Sequence, residues 1–132
     1  MSLSVGGGSS NYKKYSASEK VVGEWLDGKT IYEKTFSFGA LTDSSIFINT
    51  PFISVGALVD NFVLVTGILY DSKGWCTAIP YVSYTGGTNY YIMPSLKTNA
   101  AESDKNSVAI LYAGAVSWVK RSYLTVQYTK IS

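Results

Sequence analysis

The chain has 132 residues, of which only 15% are charged, with a net charge of +2, eleven Tyr and no His. That length suits one domain able to close a core without disulfides or metal. The basic residues are scattered and doubled only at Lys13-Lys14 and Lys120-Arg121, so there is no phosphate-tracking stripe and no case for a nucleic-acid partner.

Residues 1–11, rich in Gly and Ser, read as a flexible arm, and residues 12–132 as a single domain. The arm lacks the charged start and apolar run of a signal peptide. Ser16-Ala17-Ser18-Glu19 fits a capping box, which predicts one helical turn ahead of the first strand. Residues 21–26 and 30–38 then flank Asp27-Gly28, a dipeptide suited to a type I′ hairpin turn. In the second arm Tyr32, Phe36 and Phe38 share one face, interrupted by Lys34, and Ile31, Glu33, Thr35 and Ser37 share the other. Strand patterns continue at residues 46–48 and 52–59, with a break at Asn49-Thr50-Pro51, and at 62–70, with a relaxed point at Gly67. Asp71-Ser72-Lys73-Gly74 is a strong turn. Residues 75–84 follow, with Pro80 marking an edge position or bulge. Gly86-Gly87 turns the chain into residues 89–93. Residues 108–119 form one bent strand or two. Residues 123–130 close the domain, with Leu124, Val126 and Tyr128 on one face.

Turns recur about every 10 to 15 residues, which predicts an all-β, antiparallel β-sandwich, jelly-roll-like, of about eight strands. The longest apolar run, residues 61–70, is about half of what a bilayer helix needs, so membrane insertion is not expected. Cys76 is the only cysteine and is expected to be a small buried hydrophobe in a strand.

The chemistry available is sparse. Without His, the usual general base and the commonest metal ligand are both missing, and zinc sites of the His/Cys kind are excluded by count. Glu24 and Glu33 approach one another across the first hairpin at most as a solvated pair, not as the two carboxylates of a glycosidase. Glu102, Asp104 and Asn106 alternate in a polar loop but lack the glycine of a calcium loop. Gly6-Gly7-Gly8 lacks the strand, Lys-Ser/Thr pair and helix of a phosphate loop. No catalytic residue, metal or cofactor is therefore assigned. The aromatics remain: Trp75, Tyr84, Tyr90 and Tyr91 lie on neighbouring strands around Gly86-Gly87, where rings stack on sugars or fill a core or interface. They are the candidate glycan-binding residues.

Residues 15–35, through Val21-Val22-Gly23 and Trp25-Leu26-Asp27-Gly28-Lys29-Thr30-Ile31-Tyr32, resemble a segment of small structural proteins and tail-fibre or appendage ends of tailed bacteriophages. That family reads Val-Val-Gly, then Trp-Ile-Asp-Gly-Lys-Pro-Ile-Tyr. Phe38-Gly39-Ala40-Leu41, Ile79-Pro80-Tyr81-Val82-Ser83 and the closing Tyr123-Leu124-Thr125-Val126-Gln127-Tyr128-Thr129-Lys130 resemble further family segments. Thr30 stands where the family often has Pro, and residues 108–120 depart from its pattern. The resemblance implies a non-enzymatic virion component, assembled in the host bacterial cytoplasm as a symmetric homo-oligomer, a trimer foremost, beside other virion proteins. A host-surface glycan is a further expected partner. A head-decoration or collar protein fits the same features. A polysaccharide-degrading enzyme is disfavoured by the missing His and paired acids.

Overall fold

The computed structural model describes residues 14–85, 88–98 and 106–131; the arm expected at residues 1–11 lies outside them. Among the described residues there are ten strands and no helix: β1 (Lys20–Glu24), β2 (Thr30–Ser37), β3 (Ser44–Asn49), β4 (Ile53–Ser54), β5 (Val59–Tyr70), β6 (Cys76–Ile79), β7 (Tyr81–Thr85), β8 (Thr88–Lys97), β9 (Ser107–Gly114) and β10 (Arg121–Lys130). All pairings are antiparallel. One sheet has the order β1-β2-β10-β5-β6; the other has β3-β9-β8-β7, with β4 also pairing β9. The two form a β-sandwich. One of the strands beyond the expected eight arises because the run at 75–84 divides at Pro80. There the chain leaves the first sheet as β6 and enters the second as β7, across a cis Ile79–Pro80 bond.

The core lies between the sheets. Leu124, Val126 and Tyr128 of β10 are fully buried against Phe36 and Leu69 on one side and Ile92, Val108, Ile110 and Tyr112 on the other. Period-2 alternation in β10 therefore sends Tyr123, Thr125 and Gln127 to the outer face. Lys34 interrupts the core-facing row of β2, and its stem runs along apolar surface so that Nζ donates to the Val55 carbonyl at 3.0 Å. Gly67 faces the core opposite Leu124 and Ile79, where a Cβ would overlap both side chains. Its relaxed place in the apolar run is thus a packing requirement.

Three local expectations change. The first hairpin is not type I′. Gly28 N–H donates to Trp25 O at 2.9 Å, Trp25 N–H donates to Lys29 O at 2.7 Å, and Gly28 alone takes positive φ. This is the three-residue loop with a terminal glycine bulge, and Asp27 caps it by accepting from Lys29 N–H at 3.0 Å. Asp71 to Trp75 repeats the arrangement, with Gly74 at positive φ. The capping box at residues 16–19 starts no helix: Ser16 Oγ accepts from Ser18 N–H at 3.0 Å, and Ser16 O accepts from Thr35 N–H at 2.9 Å, so the edge of β2 captures the segment. Cys76 is exposed rather than buried, because β6 is an edge strand and Cys76, opposite Tyr70, lies on its outer side.

The break at Asn49-Thr50-Pro51 is where the edge passes from β3 to β4 along β9. Thr50 bridges it: its N–H donates to Ile110 O at 2.8 Å and its Oγ1 accepts from Ile110 N–H at 2.9 Å.

Candidate interaction surfaces

Of the candidate rings, Trp75, Tyr90 and Tyr91 do not converge on one platform. Trp75 ends the second glycine turn, where Asp71 Oδ1 accepts from both Lys73 N–H and Trp75 N–H at 2.8 Å. Trp75 is 54% exposed and its ring meets Trp118 edge-on at 5.4 Å; Trp118 in turn meets Tyr81 at 5.6 Å. Trp118 packs against the core, so Trp75 is the outer member of a three-ring group. Tyr91 belongs elsewhere. It lies opposite Ala113 and Val82, with its ring 5.3 Å from Phe47, on the outer face of the second sheet. Tyr90 has the same parity as fully buried Ile92 and so faces away from Tyr91. The side chain of Tyr84 lies outside the described residues.

Around Tyr91 the second sheet presents an apolar outer face. Phe47, Ala113, Tyr91 and Val82 run across four strands, and Leu111 and Met93 form the neighbouring row. Phe47 is 52% and Val82 62% exposed, in a sheet whose inner face is already packed. Among the described residues on this face the charged side chain is Lys97 at one end, drawn over the Phe52 ring at 4.1 Å.

The outer face of the first sheet is different in kind. Thr35, Thr125 and Thr66 stand in register across β2, β10 and β5, and the Thr35 and Thr125 hydroxyls are 2.9 Å apart. In the adjacent row Gln127 Nε2 donates to Glu33 Oε2 at 2.9 Å, and Glu33 is only 2% exposed. On the other side Tyr70 meets Tyr123 edge-on at 6.1 Å, and the Arg121 guanidinium lies over the Tyr70 ring at 4.3 Å. Tyr15 is brought over the threonines by the Ser16–Thr35 backbone bond. Tyr15, Thr35, Thr66, Ile68, Tyr70, Tyr123 and Thr125 line a groove of about 380 Å³, continuous through Tyr15, Thr66 and Thr125 with one of about 230 Å³ beside Glu33, Leu64 and Gln127. Sequence reasoning missed this site. The alternation in β10 was visible, but the neighbours of Tyr123 and Thr125 come from strands far away in the chain.

Glu24 and Glu33 give no paired site: the hairpin register sets Glu24 opposite Thr30 and Glu33 opposite Lys20, at opposite ends. Of the suggested calcium loop, Glu102 and Asp104 lie outside the described residues. Asn106 is buried, with Oδ1 accepting from Val59 N–H at 3.3 Å and its carbonyl from Val55 N–H at 2.8 Å, so it ties the β4–β5 connection to β9. Comparison with protein-family models, with characterised proteins and with solved structures finds no match to this chain.

Proposed function

We propose that this chain is a non-enzymatic assembly domain of a tailed-bacteriophage virion, in the tail or an appendage, that works as a homo-oligomer, a trimer foremost. The observation that carries the assembly reading is the outer face of the second sheet. Half-exposed Phe47 and Val82, joined through Ala113 and Tyr91, form a contiguous apolar row with little charge near it. Isolated exposed apolar residues are ordinary, but a row of them across a sheet marks a surface that another molecule covers. Low overall charge and abundant Tyr fit an extensive protein interface. The virion assignment is supported by the resemblance carried by residues 15–35 and by the closing strand. The collar or head-decoration role differs only in where the same face is used.

Immunogold labelling of particles, made in cells that carry the gene, tests the placement. Label at the tail or an appendage is the expected result. Particles that carry no label, with the protein left in the soluble lysate, would refute it.

A further inference from the structure

We propose that the groove on the outer face of the first sheet is a carbohydrate site that takes a short neutral glycan. The inference does not depend on the virion reading. The floor of the groove is β10, a central strand whose backbone is engaged by β2 on one side and β5 on the other. No ladder edge is open there, so an extended peptide has nothing to pair with. A ligand must be recognised through side chains.

Those side chains are of two kinds. Tyr15, Tyr123 and Ile68 supply apolar walls, with Leu64 beside the smaller groove, and Tyr70, set edge-on to Tyr123 and covered by Arg121, closes one end. Between them the hydroxyls of Thr35, Thr66 and Thr125 form a row of groups that both donate and accept. A pyranose has that same division: C–H faces that lie on aromatic rings, and an equator of hydroxyls. A lipid chain would cover the threonine hydroxyls and offer no hydrogen bond beyond the one that Thr35 and Thr125 make with each other, at a cost. The residues that line the main groove carry no charged side chain; Arg121 stands over Tyr70 at one end and Glu33, with Lys20 opposite it in the hairpin register, beside the other, which favours a neutral sugar over an acidic one. The main cavity of about 380 Å³ lies at the lower end of ligand-site volumes, and its continuation past Gln127 admits a second sugar unit.

The test is a two-dimensional amide NMR titration of the whole chain with glucose, galactose, rhamnose, N-acetylglucosamine, maltotetraose, chitotetraose and glucuronate. At least one neutral probe is expected to move the amides of Thr35, Thr66, Tyr123 and Thr125, with a dissociation constant on the order of 1 mM for a monosaccharide. Tyr15→Ala and Tyr123→Ala should each weaken that binding roughly tenfold, and Trp75→Ala should leave it unchanged. The shift map of the unaltered chain decides the location even where a variant folds poorly. No shifts with any probe, shifts centred on Trp75 and Trp118, or glucuronate binding more tightly than every neutral probe would each overturn the proposal.

Discussion

Tyr128 in the last strand donates its phenolic hydrogen to Glu19 just ahead of the first, and Lys130 Nζ reaches the other carboxylate oxygen of Glu19 at 2.7 Å. The two ends of the described fold are thus joined by side chains across β2, whose Tyr32 ring stacks on Tyr128 at 6.0 Å and lies beneath Lys130 at 4.0 Å. Burial alone would raise the Glu19 carboxyl, but the hydrogen bonds from Lys130 and Tyr128 outweigh it and hold the group below its ordinary value. Burial, and then the bond to Glu19, push the Tyr128 phenol well above the usual tyrosine range.

This linkage has a defined pH dependence. A carboxyl whose folded pKa is depressed stabilises the fold above its unfolded pKa, and that stability is lost as pH falls through the folded value. Glu19→Gln should therefore cost about 1 kcal/mol near neutrality, a figure kept small because the ion pair is partly solvated. The difference from the unaltered chain should shrink to nothing below the ordinary carboxylate range. Urea midpoints at neutral and strongly acidic pH measure both.

Gly67 has no room for a methyl group against Ile79 and Leu124. Gly67→Ala should destabilise the domain by about 1–3 kcal/mol, since both neighbours are buried in the core. Because the clash is chiefly with Ile79, adding Ile79→Ala should recover part of the loss relative to the sum of the single changes. A double-mutant cycle in urea reads that coupling.

Cys76 is accessible in the folded chain. One thiol equivalent should react with an aromatic disulfide reagent in buffer without denaturant, and urea should add no further equivalents.

The parts of the fold that follow from alternation were legible in the sequence. Leu124, Val126 and Tyr128 announced the inner face of β10, and Asp27-Gly28 and the turn ending at Gly74 announced their hairpins. What was not legible depended on neighbours that no local pattern specifies. The capping box at Ser16 lost to a backbone bond with Thr35. Cys76 was expected inside because thiols usually are, whereas the sheet order leaves β6 at an edge. Trp75, Tyr90 and Tyr91 are near in sequence, but the passage from β6 to β7 moves Trp75 and Tyr91 onto different sheets, and strand alternation separates Tyr90 from Tyr91. The groove formed by Tyr15, Tyr70 and Tyr123 exists only because β10 is inserted between β2 and β5.

The assembly claim rests on the exposure of Phe47 and Val82 on an apolar sheet face, and the molar mass by light scattering across a concentration series tests it most directly. The unaltered chain is expected as a closed oligomer, a trimer foremost, and Phe47→Glu combined with Val82→Glu as a monomer with an unchanged β-sheet circular dichroism spectrum. A monomer at every concentration for the unaltered chain, or an oligomer that survives the double substitution, would contradict it.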